Sequence, residues 1–108
     1  MKANEYRKSL IKAVKAPSGF EFKIRKLTTL RFASIGGPEL ASDPARAEEF
    51  MDAVIKACVV EPKIVDEVRD PEAELGIDEI AYGDKIFLLN EILAFSGLRE
   101  LGRFREGG

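Results

Sequence analysis

The sequence predicts a small, mainly helical α+β domain in which an N-terminal β-hairpin, about residues 11–27, packs on two longer helices, about residues 43–58 and 81–96. Three observations predict it. Phe20-Glu21-Phe22-Lys23-Ile24-Arg25-Lys26-Leu27 alternates apolar and charged residues with the period of two that a half-buried strand requires. Phe50, Met51, Val54, Ile55 and Cys58 recur at helical spacing and paint one apolar stripe. Ile86, Phe87, Leu88, Leu89, Ile92, Leu93 and Phe95 wrap most of a second helix, which places it at the centre of the core or makes part of its face an interface. A chain of 108 residues suits one domain over 1–108.

Each element follows from its residues. Residues 4–10 read as a short helix with Tyr6 and Leu10 one turn apart. Ile11-Lys12-Ala13-Val14-Lys15 and the alternating run are joined by Pro17-Ser18-Gly19, a turn that pairs them as a hairpin with Phe20, Phe22 and Ile24 toward the core. Such a ribbon needs covering by helices or by another subunit. Residues 28–35 read as a short helix capped by a threonine and stopped by Gly36-Gly37, with Leu30, Ala33 and Ile35 gathered on it. Residues 38–42 read as a linker. Asp43-Pro44 then matches an N-cap followed by proline in the first turn. The helix it opens ends before Pro62, and Cys58 reads as a small buried hydrophobe. Residues 66–76 are acidic, contain Pro71 and read as a solvated loop. The final long helix carries Asp84 in its first turns and stops at Gly97. Beyond it, residues 98–108 form either a capping helix or a flexible, partner-binding tail in which Leu98, Leu101 and Phe104 recur every three residues amid charges.

Composition narrows the chemistry. With no histidine and a single cysteine, the chain is not expected to use an imidazole base, a zinc cluster or a disulfide scaffold. No Gly-rich phosphate loop precedes a helix, and the acidic run 66–79 lacks the spacing of a calcium loop. No catalytic residue, metal ligand or cofactor is therefore expected. The chain opens polar, and no apolar run approaches the roughly 20 residues needed to cross a bilayer, so no membrane association is expected and a soluble, cytosolic protein is.

The formal net charge of −2 hides a division. Residues 1–35 carry nine basic and two acidic side chains, a balance of +7, whereas residues 36–96 carry five basic and fifteen acidic ones, a balance of −10. Such halves attract each other within a fold or between subunits, or steer an acidic partner to the basic end. Nucleic acid is the less favoured partner, because Phe20 and Phe22 fall on the face expected to be buried.

Three segments carry a resemblance to a known family. Pro17-Ser18-Gly19-Phe20-Glu21-Phe22-Lys23-Ile24-Arg25, then Cys58-Val59-Val60-Glu61-Pro62-Lys63-Ile64, then Ile77-Asp78-Glu79-Ile80-Ala81-Tyr82-Gly83-Asp84-Lys85-Ile86-Phe87, resemble tail assembly chaperones of long-tailed, siphovirus-like bacteriophages. The likeness spans most of residues 11–97, and Ala81-Tyr82-Gly83 departs from it where a proline or another helix-starting residue is expected. The resemblance implies a non-enzymatic assembly factor of the host cytoplasm. It would bind the tape-measure protein, keep it soluble and help recruit tail-tube subunits, with self-association letting many copies coat the client. Leu98, Leu101 and Phe104 are the expected partner contact. A structural virion component, such as a head–tail connector or a tail-completion protein, is the alternative.

Overall fold

A computed structural model of the chain describes residues 2–98. Helix α1 (Ala3–Lys8) leads into strands β1 (Ile11–Lys15) and β2 (Glu21–Arg25), helices α2 (Thr29–Ser34) and α3 (Gly37–Ser42), a 3-10 turn (Pro44–Arg46) and helix α4 (Ala47–Cys58). Strands β3 (Val59–Glu61), β4 (Lys63–Val65) and β5 (Glu74–Gly76) follow, then a second 3-10 turn (Ile77–Glu79) and helix α5 (Tyr82–Phe95). The α+β class, the hairpin and the two longer helices are as the sequence predicts.

The hairpin pairs Val14 with Phe22 and Lys12 with Ile24, turning at Gly19, whose φ of +92° lies in the left-handed region. Its inward face, Val14, Phe22 and Ile24, is buried. Phe20 is a correction to the predicted face: it is 51% exposed and stands edge-on to Phe22 at a centroid distance of 4.9 Å. The period of two was extended one residue too far, since Phe20 precedes β2 and belongs to the turn. Leu30 also escapes its expected cluster, at 80% exposure on α2.

Residues 38–42 correct the linker reading. Gly36, at φ +72°, is at once the end of one helix and the N-cap of α3, whose first turn holds Pro38 and Glu39 and whose Leu40 is buried. Gly37 lets the two short helices approach, because a Cβ there would stand 2.6 Å from the backbone oxygen of Phe32. Asp43 caps as expected, accepting from the Ala45 N–H at 3.0 Å, although the turn it opens is 3-10 before α4 begins.

Three strands, β3, β4 and β5, go beyond the elements the sequence predicts. The chain leaves α4 directly into β3, which adds to the hairpin as the third antiparallel strand in the order β1-β2-β3. Within the acidic run, β5 pairs in parallel with β4, so residues 74–76 are strand rather than loop. The Glu61–Pro62 peptide between β3 and β4 is cis.

The core gathers Phe22 and Ile24 from the sheet, Phe50, Val54, Ile55 and Cys58 from α4, and Leu88, Leu89, Ile92 and Leu93 from α5. Helix α5 is fixed to the hairpin near both of its ends. Near its C-terminus the Leu27 N–H donates to Ser96 Oγ at 2.7 Å, while the Lys12 and Lys26 ammonium groups lie 4.9 and 5.2 Å from the Phe95 ring centroid. Arg25, a charged position of the alternating run, donates from Nε and Nη2 to the Ala57 carbonyl at 2.9 and 2.7 Å, satisfying a terminal carbonyl of α4. Among the described residues no helix is long and apolar enough to cross a membrane.

Candidate functional site

The polar and apolar features that stand out converge on the start of α5. Asp84 is only 7% exposed, and its carboxylate accepts from the Ser18 N–H at 3.2 Å and the Ser18 hydroxyl at 2.6 Å. The next residue reaches the other way, with Lys85 Nζ 3.0 Å from Asp52 Oδ1 on α4. Adjacent side chains of one helical turn thereby hold the hairpin turn on one flank and α4 on the other. No N-cap side chain opens α5, so this pair of tertiary contacts fixes its first turn instead.

A groove lies on each flank. On the hairpin side, Phe20, Phe22, Leu75, Ile80 and Ala81 line a depression of about 300 Å³ with Ser18 and Asp84 at its edge. On the α4 side, Pro44, Ala45, Ala47, Met51, Tyr82 and Ile86 line one of about 430 Å³, with Glu48 on its rim. Tyr82, in the lining of the second, is 60% exposed. Volumes of this order suit a few side chains of a partner.

A nucleophilic serine needs a base able to take its proton and donors for the developing oxyanion. Ser18 has only the carboxylate as its partner, the chain holds no histidine, and Lys85 is engaged by Asp52. Burial pushes the Cys58 thiol up to about 11, with Arg25 and Arg31 opposing weakly, so at neutral pH it is a protonated core side chain. Part of the acidic run holds its own backbone. Glu74 accepts from the Arg69 and Asp70 N–H groups at 2.8 and 3.0 Å, which holds its carboxyl below the usual range, and Glu79 accepts from the Gly76 N–H at 2.8 Å. Among the described residues no group of three or more Asp, Glu, Cys or His side chains is arranged to hold a metal ion.

No protein-family model, no curated protein and no solved structure matches the chain. The fold brings the three segments singled out in the sequence into contact. The turn of the first is hydrogen-bonded to Asp84 of the third, and Val59–Glu61 of the second pairs with the strand of the first.

The expected partner contact is divided. Leu98 is half-buried against the core, and its N–H donates to the Leu93 carbonyl at 2.7 Å across the left-handed Gly97. Leu101 and Phe104 lie outside the described residues. Sequence reasoning did not single out Ser18 with Asp84 as a contact, nor Tyr82 and Phe20 as exposed groove residues. The signal present was an acidic residue in the first turn of a helix whose N-cap position holds alanine.

Proposed function

We propose that the chain is a non-enzymatic tail assembly chaperone of long-tailed bacteriophages, acting in the host cytoplasm. It binds the tape-measure protein, keeps its exposed helices from aggregating and helps recruit tail-tube subunits. The observation that supports this reading best is the convergence of the three resembling segments on one structural unit, the β1-β2-β3 sheet clasped to α5 through Ser18 and Asp84. The shallow, largely apolar groove beside the hairpin turn, and the mixed groove that Tyr82 lines, supply the kind of surface on which side chains of an amphipathic helical client settle.

Co-expression of the tagged chain with a candidate tape-measure protein tests the proposal. The expected result is a soluble client that co-purifies with several copies of the chain, together with finished particles that lack it. A client that still aggregates while the chain purifies alone overturns the chaperone role. Retention of the chain in purified virions favours a structural component instead.

A further inference from the structure

The three-stranded sheet is open along β1. In an antiparallel pair, residues that bond across the ladder alternate with residues whose N–H and C=O groups point away from the partner strand. The Lys26 N–H donates to the Leu10 carbonyl at 3.0 Å and the Ala16 N–H to the Phe20 carbonyl at 2.9 Å, so in this register residues 10, 12, 14 and 16 bond toward β2. Ile11, Ala13 and Lys15 therefore turn their backbone groups to the open edge, where no described segment pairs with them. Ile11 is 50% exposed, and Ala13 and Lys15 are exposed as well.

The opposite edge is blunted. Strand β3 has three residues, its register with β2 shifts between Lys23 and Ile24, and Pro62 follows it. Strand β1 has five residues in unbroken register and contains no proline. Its charges select what pairs there. Residues 2–27 carry eight basic and two acidic side chains. Lys12 is drawn back against α5, 3.7 Å from Glu91 and 4.9 Å from the Phe95 ring centroid, so it does not project across the edge. Lys15 has no ion-pair partner among the described residues. A second copy pairing edge to edge would gather four lysines on one short ribbon, where like charges on adjacent strands repel. An acidic strand meets the same lysines favourably.

We infer that β1 accepts an extended, acidic segment of a partner protein as a fourth strand of the sheet. The partner's backbone bonds to Ile11, Ala13 and Lys15, and its carboxylates lie beside Lys15 on one face and Lys12 on the other. Main-chain pairing supplies the affinity and the lysines supply the selectivity. No residue of β1 lines either groove beside α5, so this surface is separate from the one proposed for a helical client, and the inference holds or fails independently of that reading.

Two blocked peptides, one alternating glutamate with valine and one alternating lysine with valine, test it on the purified full-length chain. Hydrogen exchange followed by NMR should show the Ile11, Ala13 and Lys15 amides exchanging fast in the free chain and at least tenfold more slowly with the acidic peptide. The Lys12 and Val14 amides, already bonded to β2, should change far less. The lysine peptide should bind at least tenfold more weakly than the glutamate peptide. Ala13→Pro removes an edge donor but no bond to β2, so it should keep the wild-type circular dichroism and weaken binding at least tenfold. Lys15→Glu, at an exposed position, should weaken the acidic peptide severalfold and strengthen the lysine peptide, and it decides the matter if Ala13→Pro unfolds the chain. No binding of the acidic peptide, binding that leaves the three edge amides exchanging fast, or equal binding of the two peptides overturns the inference. Slow exchange of those amides in the free chain would mean the edge is already paired, and overturns it equally.

Discussion

Asp84 is the buried charged side chain among the described residues, and its two bonds to Ser18 link positions 66 apart in the chain. Removing a partner from a buried charged hydrogen bond leaves the other group desolvated and unmatched, at about 1–3 kcal/mol. Ser18→Ala, which strands the buried Asp84 carboxylate, should lower stability by that amount and Asp84→Ala by less, because Ser18 is exposed to water, with the double variant costing clearly less than their sum because both remove the same contact. Urea unfolding of the three proteins checks it, and additive losses would show that the two residues act independently. Cys58 gives a second prediction at this scale. In the fold the thiol keeps its proton up to about pH 11, whereas the unfolded chain releases it near 9.0, so the unfolded state binds fewer protons in between. The stabilisation is complete below pH 9 and falls as pH rises toward 11, by about 2–3 kcal/mol in all. Wild type should therefore lose more stability between pH 8 and pH 10.5 than Cys58→Ala does, as read from urea midpoints; parallel losses would refute the burial argument. The burial of Cys58 was legible from its place on a helical stripe. The Asp84–Ser18 bond was not, because nothing local to either residue signals a partner so far along the chain.

At the scale of elements, α5 has core contacts on most of its circumference, with Leu88, Leu89, Ile92 and Leu93 fully buried. Leu89→Ala or Ile92→Ala should cost about 2–5 kcal/mol, a large share of what a domain this small possesses. Leu30→Ala on the exposed side of α2 should change stability by less than about 0.5 kcal/mol. Thermal unfolding of the three variants distinguishes them, and similar losses at Leu30 and Leu89 would mean the burial is misassigned. Gly37→Ala should destabilise by about 1–3 kcal/mol, since its Cβ would press on the Phe32 backbone and ring. The long helices and the hairpin were readable because their patterns are periodic over eight or more residues. Helix α3 was not, because Gly36-Gly37-Pro38 combines a strong stop with an equally good start, and only Leu40 of its six residues is a large buried side chain. Strands β3, β4 and β5 are three residues each, too short to show a period, and exist through pairing with distant partners.

Over the whole molecule, the charge division between a +7 beginning and a −10 middle invites the idea that electrostatic attraction holds the fold together. The contacts argue otherwise. The ion pairs joining the two parts, Lys12–Glu91 at 3.7 Å and Lys23–Glu61 at 3.8 Å, are long and lie at the surface, where such pairs contribute little. The two parts meet instead through Phe22 and Ile24 packed on the apolar side chains of α4 and α5. Hydrophobic contact is insensitive to screening, whereas surface attraction fades as the Debye length shrinks from roughly 10 Å at 0.1 M salt to about 3 Å at 1 M. Raising sodium chloride from about 0.05 M to 0.5 M should accordingly change the unfolding free energy by less than about 1 kcal/mol. Urea unfolding at the two salt concentrations checks it. A loss of several kcal/mol would place the fold's cohesion in its charges.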